Sequence, residues 1–322
     1  MTPGTASASL EIRRYVGKKH ASEVFVTGWH HLTADTHLVT ARWPRLHPFY
    51  VPDLNELHPH LVTETVRQAL AVVAHTAFDV PVGYRMGWEQ FTCDIAPAEL
   101  AKASAESGTV ELTVTHAPCI RRRLGSMHLN ATIRVMRNSS LLGTAHLRYT
   151  AFPPALYNRL RGRYADATAA FARAIPVAPP LSPSLVGRRK EADVVLSPTG
   201  IPRRWQLRAD TSHTTLFDHP HDHVPGMMLL EACSQAALAD TAPHNATPVA
   251  FETSFFRYVE LDQPCWITAH DAPNDQQGCR RVVVTGTQAD QAVFSAAVTT
   301  RATPPSDAPL SLDPSVERPS TY

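Results

Sequence analysis

The stretch ETVRQA at residues 64–69 returns as EACSQA at residues 231–236. Sliding the chain by 167 positions superposes Glu64 on Glu231, Gln68 on Gln235, Ala69 on Ala236, Pro81 on Pro248 and Val82 on Val249 without a gap. These are five identities in nineteen positions, where average residue usage gives roughly one. Tyr84 and Phe251 continue the match. An interval of this size marks a duplicated domain, because solenoid repeats run to about 20–50 residues.

Each half carries the same order of elements. In the first, residues 23–29 (EVFVTGW) and 37–43 (HLVTARW) alternate as a strand pair, and an apolar helix follows over about 58–78. Four alternating runs come next, at 84–95, 109–120, 127–137 and 141–152. In the second half, ADVVLS and RRWQLRAD precede a helix over about 225–240, and four further runs end at 300. Period-2 runs read as half-buried strands and the longer apolar stretches as helices. One helix among five or six mostly antiparallel strands is an α+β layout in which a sheet wraps the helix. That is the order of a hotdog fold, and two hotdogs in tandem make a pseudo-dimer. The expected division is a flexible N-terminus at 1–19, hotdog domains at 20–152 and 188–302, and a disordered Pro/Ser/Asp-rich tail at 303–322. Between the domains, 153–187 reads as a helical segment and a Pro-rich linker, PVAPPLSPSLVG.

Composition narrows the classes of function. Thirty Lys and Arg against 29 Asp and Glu leave a net charge of +1, so no broad basic field favours nucleic acid or an anionic membrane. At 43% hydrophobic the 322 residues can bury a sizeable core. Five cysteines with no CxxC pair fit neither a disulfide framework nor a thiolate zinc site, and point to a reducing cytoplasm. The first twenty residues have no apolar core of a signal peptide, and no run of eighteen apolar residues follows.

The densest chemistry lies in HTTLFDHPHDHVPGMMLLEACSQA, residues 213–236. Pro225 suits the first helical turn, and Gly226 permits close approach to the backbone. Free N–H groups at Gly226 and Met227 would leave a positive helix end, suited to an oxyanion. Met227, Glu231, Ser234 and Gln235 share one helical face, where desolvation should raise the Glu231 pKa towards proton-transfer range. His219, His221 and His223 beside Asp218 and Asp222 have the ligand types of a zinc site. Pro220 and Pro225 spoil its geometry and no distant set closes it, so no metal is expected. The histidines then serve either as caps of a structural loop or as an acid or base at the helix mouth.

These residues resemble a family. DHPHDHVPGMMLLEACSQAA, with KKHASEVFVTGW, ARWPRLHPFY, HLVTETVRQA, RRWQLRADTSH and FFRYVELDQP, is similar to the A-factor biosynthesis (AfsA) hotdog family, γ-butyrolactone synthases of actinomycetes. The resemblance implies transfer of a β-ketoacyl group from an acyl carrier protein (or CoA) thioester to a hydroxyl of dihydroxyacetone phosphate. The product would lead to a butyrolactone, butenolide or furan signalling molecule. It implies no cofactor and either a monomeric pseudo-dimer or a homodimer. The family's two helix glutamates fall on Glu64 and Glu231, and its loop on His219, Asp222, His223, Pro225 and Gly226. Where the family commonly has arginine after the second glutamate this chain has Ser234, while Arg67 keeps the equivalent place in the first helix. The first half lacks the glycine, having His58-Pro59 there. One composite site is therefore expected, with loop and helix mouth from the second half and Glu64 and Arg67 from the first. The rival expectations are a hotdog dehydratase or thioesterase, or a non-catalytic acyl or butyrolactone-binding protein. The run Arg121–Arg123 reads as a solvated turn or as a docking point for an acidic carrier protein.

Overall fold

The computed structural model describes residues 5–53, 57–103, 108–242 and 246–302. The expected disordered tail at 303–322 lies outside them. In the first repeat, β1 (Val26–His31) and β2 (Thr36–Arg42) precede the long helix α2 (His60–Ala77). Then come β3 (Arg85–Ile95), β4 (Thr109–His116), the short β5 (Ile120–Arg121), β6 (Met127–Arg137) and β7 (Ser140–Phe152), with α3 (Pro97–Ala103) between β3 and β4. The second repeat runs β8 (Leu196–Pro198), β9 (Arg204–Leu207), α6 (Gly226–Thr241), β10 (Ala246–Phe255), β11 (Trp266–Ala272), β12 (Arg280–Gln288) and β13 (Gln291–Ala302).

The strand order is β1-β2-β4-β6-β7-β3 in one repeat and β8-β9-β11-β12-β13-β10 in the other. The two orders are the same, which is what a duplication requires. Antiparallel pairing of β3 with β10, from Ala250 opposite Asp94 to Ser254 opposite Gln90, fuses both halves into one sheet. The sheet wraps α2 and α6, whose apolar sides are sealed: Leu61, Val62, Val66, Ala69 and Val72 of α2, and Met228, Leu230, Ala232 and Ala236 of α6, expose none of their surface. Burial at this scale, roughly 1.5–3 kcal/mol per large side chain, is what holds the helices in the sheet. Among the described residues no helix is long and apolar enough to cross a membrane.

Three expectations are corrected. The N-terminus is not flexible throughout: residues 5–16 form α1, whose Ile12 and Val16 are buried against the core. That spacing of i and i+4 supplies one apolar stripe, enough to seat a helix on α2. The Pro-rich linker is packed, with Val186 buried and the Leu181 amide donating to the Leu196 carbonyl at 2.9 Å. Before it, α4 (Pro154–Arg161) and α5 (Ala167–Ala172) complete the helices. The repeat offset also fails beyond the helices. Pro81, Val82 and Tyr84 sit in the turn before β3, whereas Pro248, Val249 and Phe251 lie within β10.

Candidate active site

The duplication repeats side-chain wiring as well as backbone. Gln68 accepts from the Phe25 amide (2.8 Å), and donates to the Glu23 carbonyl (2.7 Å) and to Glu64 (2.8 Å). Gln235 accepts from the Val195 amide (2.9 Å), and donates to the Asp193 carbonyl (2.8 Å) and to Glu231 (2.6 Å). Each glutamine thus ties its helix to the strand-leading segment and orients a buried carboxylate, so Gln235, expected at the substrate, is a structural tie. His47 and His213 repeat each other too. Each imidazole bonds an acid, Glu23 at 3.0 Å and Asp193 at 3.2 Å, and accepts two amides of its own loop.

Each glutamate meets a cation delivered by a glycine turn. Gly17 and Gly187 both adopt left-handed φ values, +68° and +66°, a conformation glycine takes without a Cβ penalty. Lys18, after the first, lies 3.3 Å from Glu64; Arg188, after the second, grips both oxygens of Glu231 at 2.7 and 2.5 Å. Arg188 and Lys18 were not singled out in the sequence. A gap-free pairing of VGKK at 16–19 with VGRR at 186–189 is the signal that finds them.

Beyond this shared wiring the two sites diverge. Glu64 is also clasped by Arg67, Nε to Oε2 and Nη2 to Oε1, both at 2.8 Å. Nη2 further donates to the Val16 carbonyl at 3.1 Å, and Nη1 has no partner among the described residues. Burial alone would raise the Glu64 pKa, but the charges of Arg67 and Lys18 outweigh it and hold the carboxyl at about 2. At Glu231 burial is likewise overcome, here by the Arg188 charge, so its pKa is lowered rather than raised. The expectation of a desolvated, proton-accepting Glu231 fails because a second buried charge sits on it.

A cavity of 590 Å³ joins contributions of both halves. Glu64, Arg67 and Lys18 line it from the first; His219, His221, Asp222, His223, Gly226 and Met227 line it from the second, with Trp88 and Tyr258 in its wall. Glu64 and Arg67 of the first repeat and the 219–226 loop of the second thus line the same cavity. Glu231, Ser234 and Gln235 do not line it. Pro225 is the N-cap of α6 in extended conformation rather than its first turn, and the Met228 and Leu229 amides donate to its carbonyl. The amides of Gly226 and Met227 have no partner among the described residues. A Cβ on Gly226 would meet only Trp88, at an ordinary 3.5 Å, so the immediate packing does not demand glycine.

His223 Nδ1 lies 3.1 Å from the Asp222 carboxylate. Asp222 is buried and accepts from Tyr157 Oη (2.6 Å) and Arg161 Nε (3.2 Å), while Arg161 also bonds Glu260 at 2.5 and 2.8 Å. Burial would raise the Asp222 pKa, but the bonds from His223 and Tyr157 and the Arg161 charge hold it well below the usual range. The tautomer with Nδ1–H towards Asp222 leaves His223 Nε2 as an unpartnered base. Tyr157 and Arg161 come from α4, in the stretch read in the sequence as a helical segment between the domains, and neither was singled out there. Beside His223, burial lowers the pKa of His219, and that of His221 to about 3. The two rings lie 4.2 Å apart, and His219 Nδ1 is buried without a hydrogen bond.

On the other side, Glu231 is packed among buried side chains and does not line this cavity. His60 Nε2 is 3.5 Å from Glu231 and 2.9 Å from Ser234 Oγ, its Nδ1 is 3.1 Å from Thr63 Oγ1, and the His58 ring lies 5.2 Å away. Arg188 stacks over Phe49 at 3.9 Å and donates to its carbonyl. Ser234 thus belongs to this buried cluster and not to the cavity lining. His58, His60 and Glu231 have metal-ligating atoms within 4.8 Å of one another. Arg188 already occupies both carboxylate oxygens and its charge opposes a cation, so the residues do not fit a metal.

Fold and site define a tandem double-hotdog protein with an open cavity between its halves that both repeats line. The chain belongs to the A-factor biosynthesis hotdog-domain family, whose profile matches residues 6–153 and 170–304. It is similar to a 2-oxo-3-(phosphooxy)propyl 3-oxoalkanoate synthase of Streptomyces virginiae, 38% identical over 90% of this chain and 97% of the relative. A synthase of the same name in Streptomyces coelicolor is 36% identical over 87% of this chain and 88% of its own. Among solved structures, the 12:0-ACP thioesterase of Umbellularia californica has 11% identity and a TM-score of 0.47, covering 86% of this chain and 100% of that one.

Proposed function

We propose that this chain is an acyltransferase that moves a β-ketoacyl group from an acyl carrier protein (or CoA) thioester to a hydroxyl of dihydroxyacetone phosphate. The relatives' name describes such an ester, a 3-oxoalkanoate of a phosphorylated three-carbon ketone. The ester would then lead to a butyrolactone, butenolide or furan signal. The single observation that carries the mechanism is the cavity in which the carboxylate-held His223, two free helix-mouth amides and two cations meet.

The acceptor hydroxyl gives its proton to His223 Nε2 as its oxygen bonds to the thioester carbon. Charge on the carbonyl oxygen is met by the amides of Gly226 and Met227 at the positive end of α6. Collapse breaks the C–S bond, and His223 returns the proton to the leaving thiolate. Asp222 keeps the imidazole oriented and stabilises its cationic form. Arg67 and Lys18, anchored by ionised Glu64, are the cations for the acceptor phosphate. His219 and His221 keep water-poor, neutral surface beside the reacting carbonyl. Both contributions to the cavity come from one chain, so a monomer suffices, and the reduced cysteines suit the cytoplasm.

The test is mass spectrometry of products from a β-ketoacyl-acyl carrier protein with dihydroxyacetone phosphate. Wild type should form the ester, and His223→Ala should lose about 10²–10⁴-fold in turnover. Acyl release that ignores the acceptor would make the protein a thioesterase instead. Binding with no turnover would make it a sensor.

A further inference from the structure

We propose that the mouth of this cavity and the turn beside it form a docking face for an acidic acyl carrier protein. The inference rests on the thioester reading above and names the surface that presents the donor. Every carboxylate lining the cavity is already engaged. Arg67 and Lys18 hold Glu64, Arg161 holds Asp222, the amides of Lys19 and His20 hold Asp218, and Arg148 reaches Glu89 at 3.5 Å. Arg14, Arg85 and Arg257 line the same cavity, are exposed, and pair with no carboxylate among the described residues. Arg85 only faces the Tyr157 ring at 5.9 Å. Arg85 and Arg257 come from the β3–β10 junction and its continuation, where Tyr258 Oη lies 3.1 Å from the Cβ position of Gly87.

The basic run left over from the sequence sits next to this mouth. Arg121 is spent on the Phe78 carbonyl (2.9 Å) and Met127 Sδ (3.4 Å). Arg122 and Arg123 are exposed and have no side-chain partner among the described residues. Their turn closes through Gly125, whose Cβ position is 3.1 Å from Pro153 and 3.9 Å from the hydroxyl of Tyr84, a cavity residue. Two large apolar side chains are exposed beside these arginines in sequence, Leu124 in the turn at 62% and Phe256 at the cavity at 56%. Arg122 and Arg123 do not line the cavity. A small phosphate inside it therefore cannot engage both groups of arginines, whereas a protein with an acidic surface and an apolar centre can. Unmatched charge around a mouth raises encounter rates and falls off with salt.

The experiment measures binding of fluorescently labelled holo-acyl carrier protein by anisotropy, at low and high salt. It compares wild type, Arg85→Glu with Arg257→Glu, and Arg122→Glu with Arg123→Glu, each checked for unchanged Tm. Each double reversal should raise Kd by about tenfold or more and flatten its salt dependence. Unchanged Kd in both variants overturns the proposal. Loss confined to the Arg85/Arg257 variant also overturns it, because that pattern means contact with the pantetheine phosphate alone. The readout does not depend on turnover. A wild type that binds the carrier without forming ester sinks the acyltransferase reading only, and an active enzyme whose variants keep their Kd sinks the docking face only.

Discussion

Around Glu64 and around Glu231 the chain builds the same frame and fills it differently. In both, a glutamine four residues on fixes the carboxylate, and a cation after a left-handed glycine compensates it. Around Glu64 the loop of the opposite half stands off and leaves space bounded by histidines and a helix mouth. Around Glu231 the opposite loop brings His58 and Phe49 inward, the start of α2 brings His60, and the guanidinium of Arg188 stacks on Phe49. The difference teaches that one frame can border an open cavity in one repeat and a packed cluster in the other. At Glu64 the carboxylate's partners face the cavity, whereas at Glu231 they belong to a buried, paired cluster. Buried ion pairs of this kind gain little over an apolar core, yet removing one partner is costly.

The largest effect expected from that comparison is on stability. Arg188→Ala should cost about 3–5 kcal/mol in urea unfolding, because Glu231 is left buried and unpaired. Adding Glu231→Gln should recover part of the loss; no recovery would mean that Arg188 acts through Phe49 packing alone. Lys18→Ala should cost far less, since Arg67 still compensates Glu64.

Acid should act on the buried histidines before the buried carboxylates. Burial lowers the His60 pKa to about 4 from 6.5, partly against the Glu231 charge. The unfolded chain therefore takes up a proton first, and stability should fall as pH drops from about 6.5 to 4. Glu64 has its pKa depressed to about 2 from 4.5. Its contribution is complete above pH 4.5 and is lost as pH falls towards 2. Denaturation midpoints across this range should show both phases, with His60→Gln making the first shallower and Glu64→Gln the second. A first phase unchanged by His60→Gln would assign it to the other buried histidines.

The smallest effect falls on Ser234. Ser234→Ala removes one buried hydrogen bond to His60 and should cost about 1 kcal/mol. The KM for dihydroxyacetone phosphate should stay at the wild-type value, because Ser234 does not face the cavity. A raised KM would return this serine to the acceptor site.

The sequence carried much of this plan because a repeat constrains fold and pairing together. The strand runs, the two helices and the joining of Glu64 and Arg67 with the 219–226 loop followed from alternation and from the gap-free offset. What it hid were contacts made by segments without periodicity. Arg188 follows the Pro-rich linker, Tyr157 and Arg161 sit in the helical segment before it, and only tertiary packing shows what they hold. The pKa of Glu231 was misjudged for the same reason. An apolar helical stripe reports desolvation and is silent about a charge arriving from forty-three residues upstream.

The central claim is that chemistry happens at the open site alone. The most direct test is kcat/KM for dihydroxyacetone phosphate at saturating donor, in Arg67→Ala and in the double variant Arg188→Met with Glu231→Gln. The first should fall by about 2–3 kcal/mol, roughly 30- to 150-fold, the scale of a lost charge-assisted contact. The second, neutralised as a pair, should stay within about threefold of wild type per folded molecule. An Arg67→Ala enzyme of normal efficiency, or a double variant as impaired as Arg67→Ala, would contradict the account.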